Sequence, residues 1–127
     1  MRYIKLYESF DKYKIVVKKT NAMINIIWID ESKEVEKVGV FDFFIRNGEA
    51  VIMGYVKYDK TINGYPYIKK SIDNVLSLGY NVVSNGNRSD SALKVWDKLS
   101  KEYKVVDEDP NNKRNGIKKI ISEKREL

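Results

Sequence analysis

With no histidine and no cysteine in its 127 residues, this chain lacks the commonest general base, the commonest metal ligand and any thiol nucleophile. Its chemistry must rest on carboxylates, tyrosine hydroxyls, serines, lysines or backbone groups, and no metal site is expected. Two acidic residues stand out by position. Asp42 sits between Phe41 and Phe43, and Glu49 follows Asn47-Gly48 at the head of an apolar run. A carboxylate so placed can take a proton from an amine. Each also has a plainer explanation as a solvated charge on a strand or hairpin. Tyr55, Tyr58, Tyr65 and Tyr67 crowd the stretch around Gly64, where a phenol can stack on a ligand or supply a proton. In a chain with nine tyrosines, chance brings some of them together.

The elements that would position these groups change in character near the middle of the chain. Residues 3–6, 14–18, 23–29 and 37–46 are rich in β-branched and aromatic side chains and read as strands. Arg46-Asn47-Gly48-Glu49 marks a type I′ turn, because Asn-Gly accepts the positive φ angles whose twist matches two antiparallel strands. The strand that follows, 49–58, is apolar on both alternations, as expected of a central strand covered on both sides. Thr61-Ile62-Asn63-Gly64-Tyr65-Pro66 forms a turn. Ile68, Ile72, Val75 and Leu76 then recur at helical spacing, with Pro66 in the first turn and Gly79 beyond the last.

A short strand over 80–84 precedes a loop at 85–88. Ser89 caps a second helix carrying Ala92, Leu93, Trp96, Leu99 and Tyr103 on one stripe. Residues 104–107 and 117–122 read as two further strands. Residues 7–22 leave room for one short helix at most.

The length fits one domain spanning residues 1–127. At 43% hydrophobic and 33% charged residues, with only two prolines, the composition excludes disorder and fibrous repeats. No apolar run is long enough to cross a bilayer and no signal-peptide block opens the chain, so the expectation is a cytoplasmic protein without a membrane partner. The net charge is +6. Residues 111–127 supply most of it, with six cations against two anions for a local +4. No nucleic-acid motif accompanies that basic tail, so nucleic acid is not the expected partner.

Three local sequences, taken in register, resemble the GNAT superfamily of acetyltransferases, the likeness covering roughly residues 36–122. Gly48-Glu49-Ala50-Val51 is similar to the start of that family's fourth strand, and Val56-Lys57-Tyr58-Asp59 to the segment leading into its acyl-CoA loop. The run from Asn87 through Ala92 and Trp96 to Leu99 resembles its fourth-helix pattern. The resemblance implies a mixed α/β (α+β) fold, with a mostly antiparallel central sheet and helices on both faces. It further implies acetyl-CoA as the acyl donor, and an amine acceptor that is a small molecule or a protein amino group.

By that likeness, backbone groups of Tyr55 and Val56 pair with the pantetheine arm. Thr61, Asn63, Gly64, Tyr65 and Asn87 line the cofactor loop, and Glu49 or Asp42 acts as the base. Three departures accompany it. Thr61 stands where the family has arginine, Pro66 removes a backbone donor from the pyrophosphate site, and Trp96 replaces a tyrosine acid with a residue suited to core packing. These departures fit an alternative, a non-catalytic interaction or assembly protein on the same fold. Small acetyltransferase-like proteins occur among bacteriophages, which would put it in a virion or the host cytoplasm.

Overall fold

A run of hairpins builds most of the sheet. The structure, a computed structural model, describes residues 4–10, 13–30, 32, 36–58, 64–86 and 88–122. Strands β1 (Ile4–Phe10), β2 (Tyr13–Lys19), β3 (Met23–Asp30), β4 (Glu36–Arg46) and β5 (Glu49–Lys57) each pair antiparallel with the next. Asn47 and Gly48 join the last two at φ 54° and 75°, the left-handed angles that turn requires. Strand therefore occupies residues 7–10 and 13–19, where the sequence left room for a short helix. The reason lies in β2: Tyr13, Ile15 and Val17 are buried on one face, a period of two that a helix could not use.

The chain then crosses over. Helix α1 (Gly64–Ser77) leads to β6 (Asn81–Val83), which lies parallel to β5. Helix α2 (Asp90–Glu102) leads to β7 (Val105–Asp107), and β8 (Lys118–Ile120) inserts between β6 and β7. The eight strands run in the order β1-β2-β3-β4-β5-β6-β8-β7. Among the described residues only the β5–β6 pair is parallel. Local chemistry sets the helix ends: Gly79 leaves α1 at φ 94°, and the Ser89 hydroxyl accepts from the Ala92 N–H at the start of α2.

The fold is thus mixed α+β on a mostly antiparallel sheet, but the expected helices on both faces are not found among the described residues. Tyr67, Ile72 and Val75 of α1 and Trp96 and Leu99 of α2 join one buried cluster with Ile15, Ile26, Trp28, Phe43, Ala50, Val82 and Ile120. Tyr65 and Glu102 bridge the two helices. The physical reason is handedness. From β5 to β6, and from β6 to β7, the chain steps the same way across the sheet between parallel strands, and right-handed crossovers put both helices on the same side. The hairpins from β1 to β5 contain no crossover to carry a helix to the other side. Val16, Ile27, Val51 and Val83 are buried on that second face.

Two irregularities shape the middle of the sheet. Trp28 pairs with Gly39 and Ile29 with Lys37, so Val38 is an extra residue. A Cβ at Gly39 would lie 2.6 Å from a ring carbon of Trp28, so the indole can pack only where the side chain is absent. Further along, Asp42 pairs with Gly54 and Phe43 with Ile52, leaving Met53 unmatched. This bulge bends β5 at mid-length.

Candidate functional site

β5 pairs with β6 over only three of its nine residues, Glu49 to Val51. Beyond the bulge at Met53, the edge of β5 that faced β6 has no strand partner among the described residues. The open stretch runs to Lys57, near the N-terminus of α1. Gly64 is the first residue of that helix, and its first turn contains no acidic side chain. The ammonium of Lys57 lies 3.9 Å from where a Gly64 Cβ would be. Unpaired N–H groups and the helix dipole make a helix N-terminus electropositive, and a lysine beside it strengthens that field. An extended, hydrogen-bonding strand edge leading to a cationic helix end can bind a ligand with amides along its length and an anion at one end.

The residues singled out in the sequence fall into three groups. Tyr55, Val56 and Gly64 lie along this edge and at its end. Tyr55 takes part through its backbone, because its ring packs inward at 5.1 Å from Trp28 and 5.4 Å from Phe41. Burial, followed by the nearby Tyr67, pushes its hydroxyl well above the ordinary tyrosine pKa and keeps it neutral. Tyr65 turns away toward α2, where its hydroxyl donates to Glu102 at 2.6 Å and Lys98 stands 5.0 Å from its ring centre. Burial and that carboxylate also raise its pKa. Thr61, Asn63 and Asn87 lie outside the described residues.

The two candidate bases differ in their partners. Glu49 accepts from Asn81 at 3.3 Å and from Lys119 at 3.2 Å, a brace tying β5 to β6 and β8. The carboxylate raises the pKa of Lys119, and Glu108 adds to the effect. Asp42 accepts from Asn25 at 2.7 Å. Among the described residues it has no cationic partner. The two carboxylates lie on the same face of the sheet, but Gly54, opposite Asp42, is five residues along β5 from Glu49, about 17 Å at strand rise. They cannot work as a pair.

Trp96 is buried in the core. Next to the loop that leads into α2, Arg88 is 3% exposed and donates to the carbonyls of Asn85, Lys113 and Gly116 and to the Ser84 hydroxyl. It holds the 109–116 loop against β6. A cavity of about 380 Å³ lined by Asp73, Glu102, Tyr103, Lys104 and Ser122 lies further along α1, since Asp73 is nine residues and about 13 Å from Gly64 at helix rise. No cluster of acidic side chains that could hold a metal is found among the described residues.

Sequence reasoning passed over Lys57 and Gly54 as site residues. A glycine inside a strand pattern does signal a bulge or a close approach of backbone, and Gly54 carried that signal. No protein-family model, curated protein or solved structure matches the chain.

Proposed function

We propose that the chain binds acetyl-CoA along the open edge of β5 and transfers its acetyl group to an amine, in the manner of the GNAT acetyltransferases its sequence resembles. The observation that carries this reading is the β5–β6 pair, joined over Glu49 to Val51 and open from Met53 onward. The two amides of a pantetheine arm can bond to the free backbone edge as an added strand. The pyrophosphate end then falls at the N-terminus of α1, where Lys57 supplies a cation in place of the one missing at Thr61. The β5–β6 pairing stops the arm at Val51, which sets the thioester beside Met53 and Gly54.

Asp42 serves as the base in this arrangement. Glu49 is committed to Lys119 and Asn81, and it lies on the paired half of β5. The second reading, a non-catalytic interaction protein, draws on Trp96, which fills the core where an acid would otherwise stand.

Calorimetric titration with acetyl-CoA separates the two. Binding that weakens about 10- to 100-fold in Lys57→Glu, the effect of one charge-assisted contact, and is abolished in Gly64→Trp supports the acyl-CoA site. No binding at millimolar acetyl-CoA leaves the interaction protein as the function.

A further inference from the structure

Gly54 is a glycine that the fold does not need. Its φ lies outside the left-handed region, unlike Gly48 and Gly79. Among the described residues, no atom lies within 4 Å of where its Cβ would be, in contrast to Gly39 and Gly116, where a side chain would strike its neighbours. Neither backbone strain nor packing accounts for it.

Its position supplies a reason. Asn25, Asp42 and Gly54 face one another in register across β3, β4 and β5, with Lys18 of β2 opposite Asn25 as the next charged group in that row. The row lies on the face without described helices. Asp42 is therefore separated from the open edge of β5 by one residue, and that residue has no side chain. Strands lie about 4.8 Å apart, so an added chain on the edge runs about 10 Å from the backbone of Asp42. The carboxylate and one bridging water can span that distance. A side chain at position 54 would close the gap.

The surroundings specify what enters. Met53 and Val56, on either side of Gly54 along β5, are 50% and 49% exposed, and Tyr58 further along is 60% exposed. Val56 pairs with Val40 and shares the face of Asp42. A carboxylate without a described cation, with an exposed apolar side chain beside it on the same face, complements an ammonium attached to an apolar body.

We infer that the acceptor is a primary amine carried on an apolar or aromatic group, that it arrives on the helix-free face, and that Gly54 is the aperture through which Asp42 reaches the reacting atoms. This rests on the acetyl-CoA reading above. The ammonium gives one proton to Asp42 through the bridging water. The freed nitrogen lone pair attacks the thioester carbonyl carbon, and the C–N bond forms as the C–S bond breaks. The departing thiolate takes the second nitrogen proton, leaving the amide and free CoA, and Asp42 returns its proton to solvent.

The test compares acetylation of phenethylamine and ethanolamine by the parent chain, Gly54→Ala, Gly54→Val and Asp42→Asn, each first titrated with acetyl-CoA and unfolded in urea. The expectation is at least a 10-fold preference in kcat/KM for phenethylamine. The urea midpoint should stay within error in Gly54→Ala, whose added Cβ meets open space, and the acetyl-CoA titration of each variant lets kcat be compared at saturation. The kcat should fall stepwise, by roughly 10- to 100-fold in Gly54→Val, and by about 100-fold or more in Asp42→Asn, as removal of a general base does. Parent-like kcat in a Gly54→Val that binds acetyl-CoA overturns the aperture. Equal use of the two amines overturns the acceptor class. Failure of the parent chain to bind acetyl-CoA at all is a separate result that removes the underlying reading and this inference with it.

Discussion

Replacing Arg88 with methionine should cost the fold about 2 kcal/mol. The guanidinium makes five hydrogen bonds from a 3% exposed site, none of them to a carboxylate. Methionine keeps much of the apolar stem and removes every donor. The acceptors then divide by exposure. Asn85 and Lys113 lie at the surface, so water can replace the lost bonds to their carbonyls at little cost. The Ser84 hydroxyl keeps a second donor, the Lys118 N–H at 2.9 Å. The Gly116 carbonyl accepts a buried bond at 2.7 Å, and an orphaned buried acceptor costs about 1–3 kcal/mol, which gives the figure of about 2.

Lysine at 88 should cost about half as much. One ammonium can keep the bond to the Gly116 carbonyl but not the fixed fork of bonds that the guanidinium makes around it. The assay is equilibrium urea unfolding, where a slope of about 2 kcal/mol per molar converts the loss into a midpoint shift of about 1 M. Hydrogen exchange should show Lys118 and Ser84 losing protection first, because beside the guanidinium the Ser84 N–H donates to the Lys118 carbonyl and the Lys118 N–H to the Ser84 hydroxyl. A methionine variant within about 0.5 kcal/mol of the parent would refute the reasoning, since the Gly116 carbonyl would then be satisfied without the arginine.

Gly39→Ala should destabilise by about 1–3 kcal/mol, seen as a lower thermal midpoint, because its Cβ would lie 2.6 Å from the Trp28 ring. Gly54→Ala, with open space, is the matched control. The Asp107 carboxylate, bonded by the Lys118 ammonium, is held below the ordinary aspartate pKa chiefly by that hydrogen bond. Its contribution is therefore complete above about pH 4, the unfolded aspartate value, and is lost as pH falls through the lower folded value. Asp107→Asn should cost at most about 1 kcal/mol at pH 7 for this partly exposed pair and measurably less near pH 2. An equal deficit at both pH values would show that the effect is not the ion pair.

The candidate site was legible in part. Gly64 before a helix and the apolar strand 49–58 stood in the sequence, because a turn and an apolar pattern are written into neighbouring residues, but cover on both sides did not follow, since Met53 and Val56 are half exposed. Asp42 was visible as a carboxylate between aromatics, but its isolation from cations was not, and neither was the commitment of Glu49 to a lysine 70 residues away. Lys57 and Gly54 gained meaning only when the chain brought α1 back beside β5 and the bulge set Gly54 opposite Asp42. Arg88 read as one polar letter in a loop, since its partners at 113 and 116 carry no sequence mark and offer only carbonyls.

Sequence alone determined the parts that depend on a few consecutive residues: the Asn47-Gly48 turn, the Ser89 cap, the Gly79 stop and the switch from a period of two to one of 3.6. Such signals are local because the forces behind them, allowed φ angles and end groups seeking partners, act within a turn or two of chain. Tertiary structure alone decided which strand neighbours which, where β5 parts from β6, and that both helices share one face. Those outcomes follow from the handedness of crossovers and from pairings between residues tens of positions apart, where the free energy belongs to the contact and to neither partner by itself.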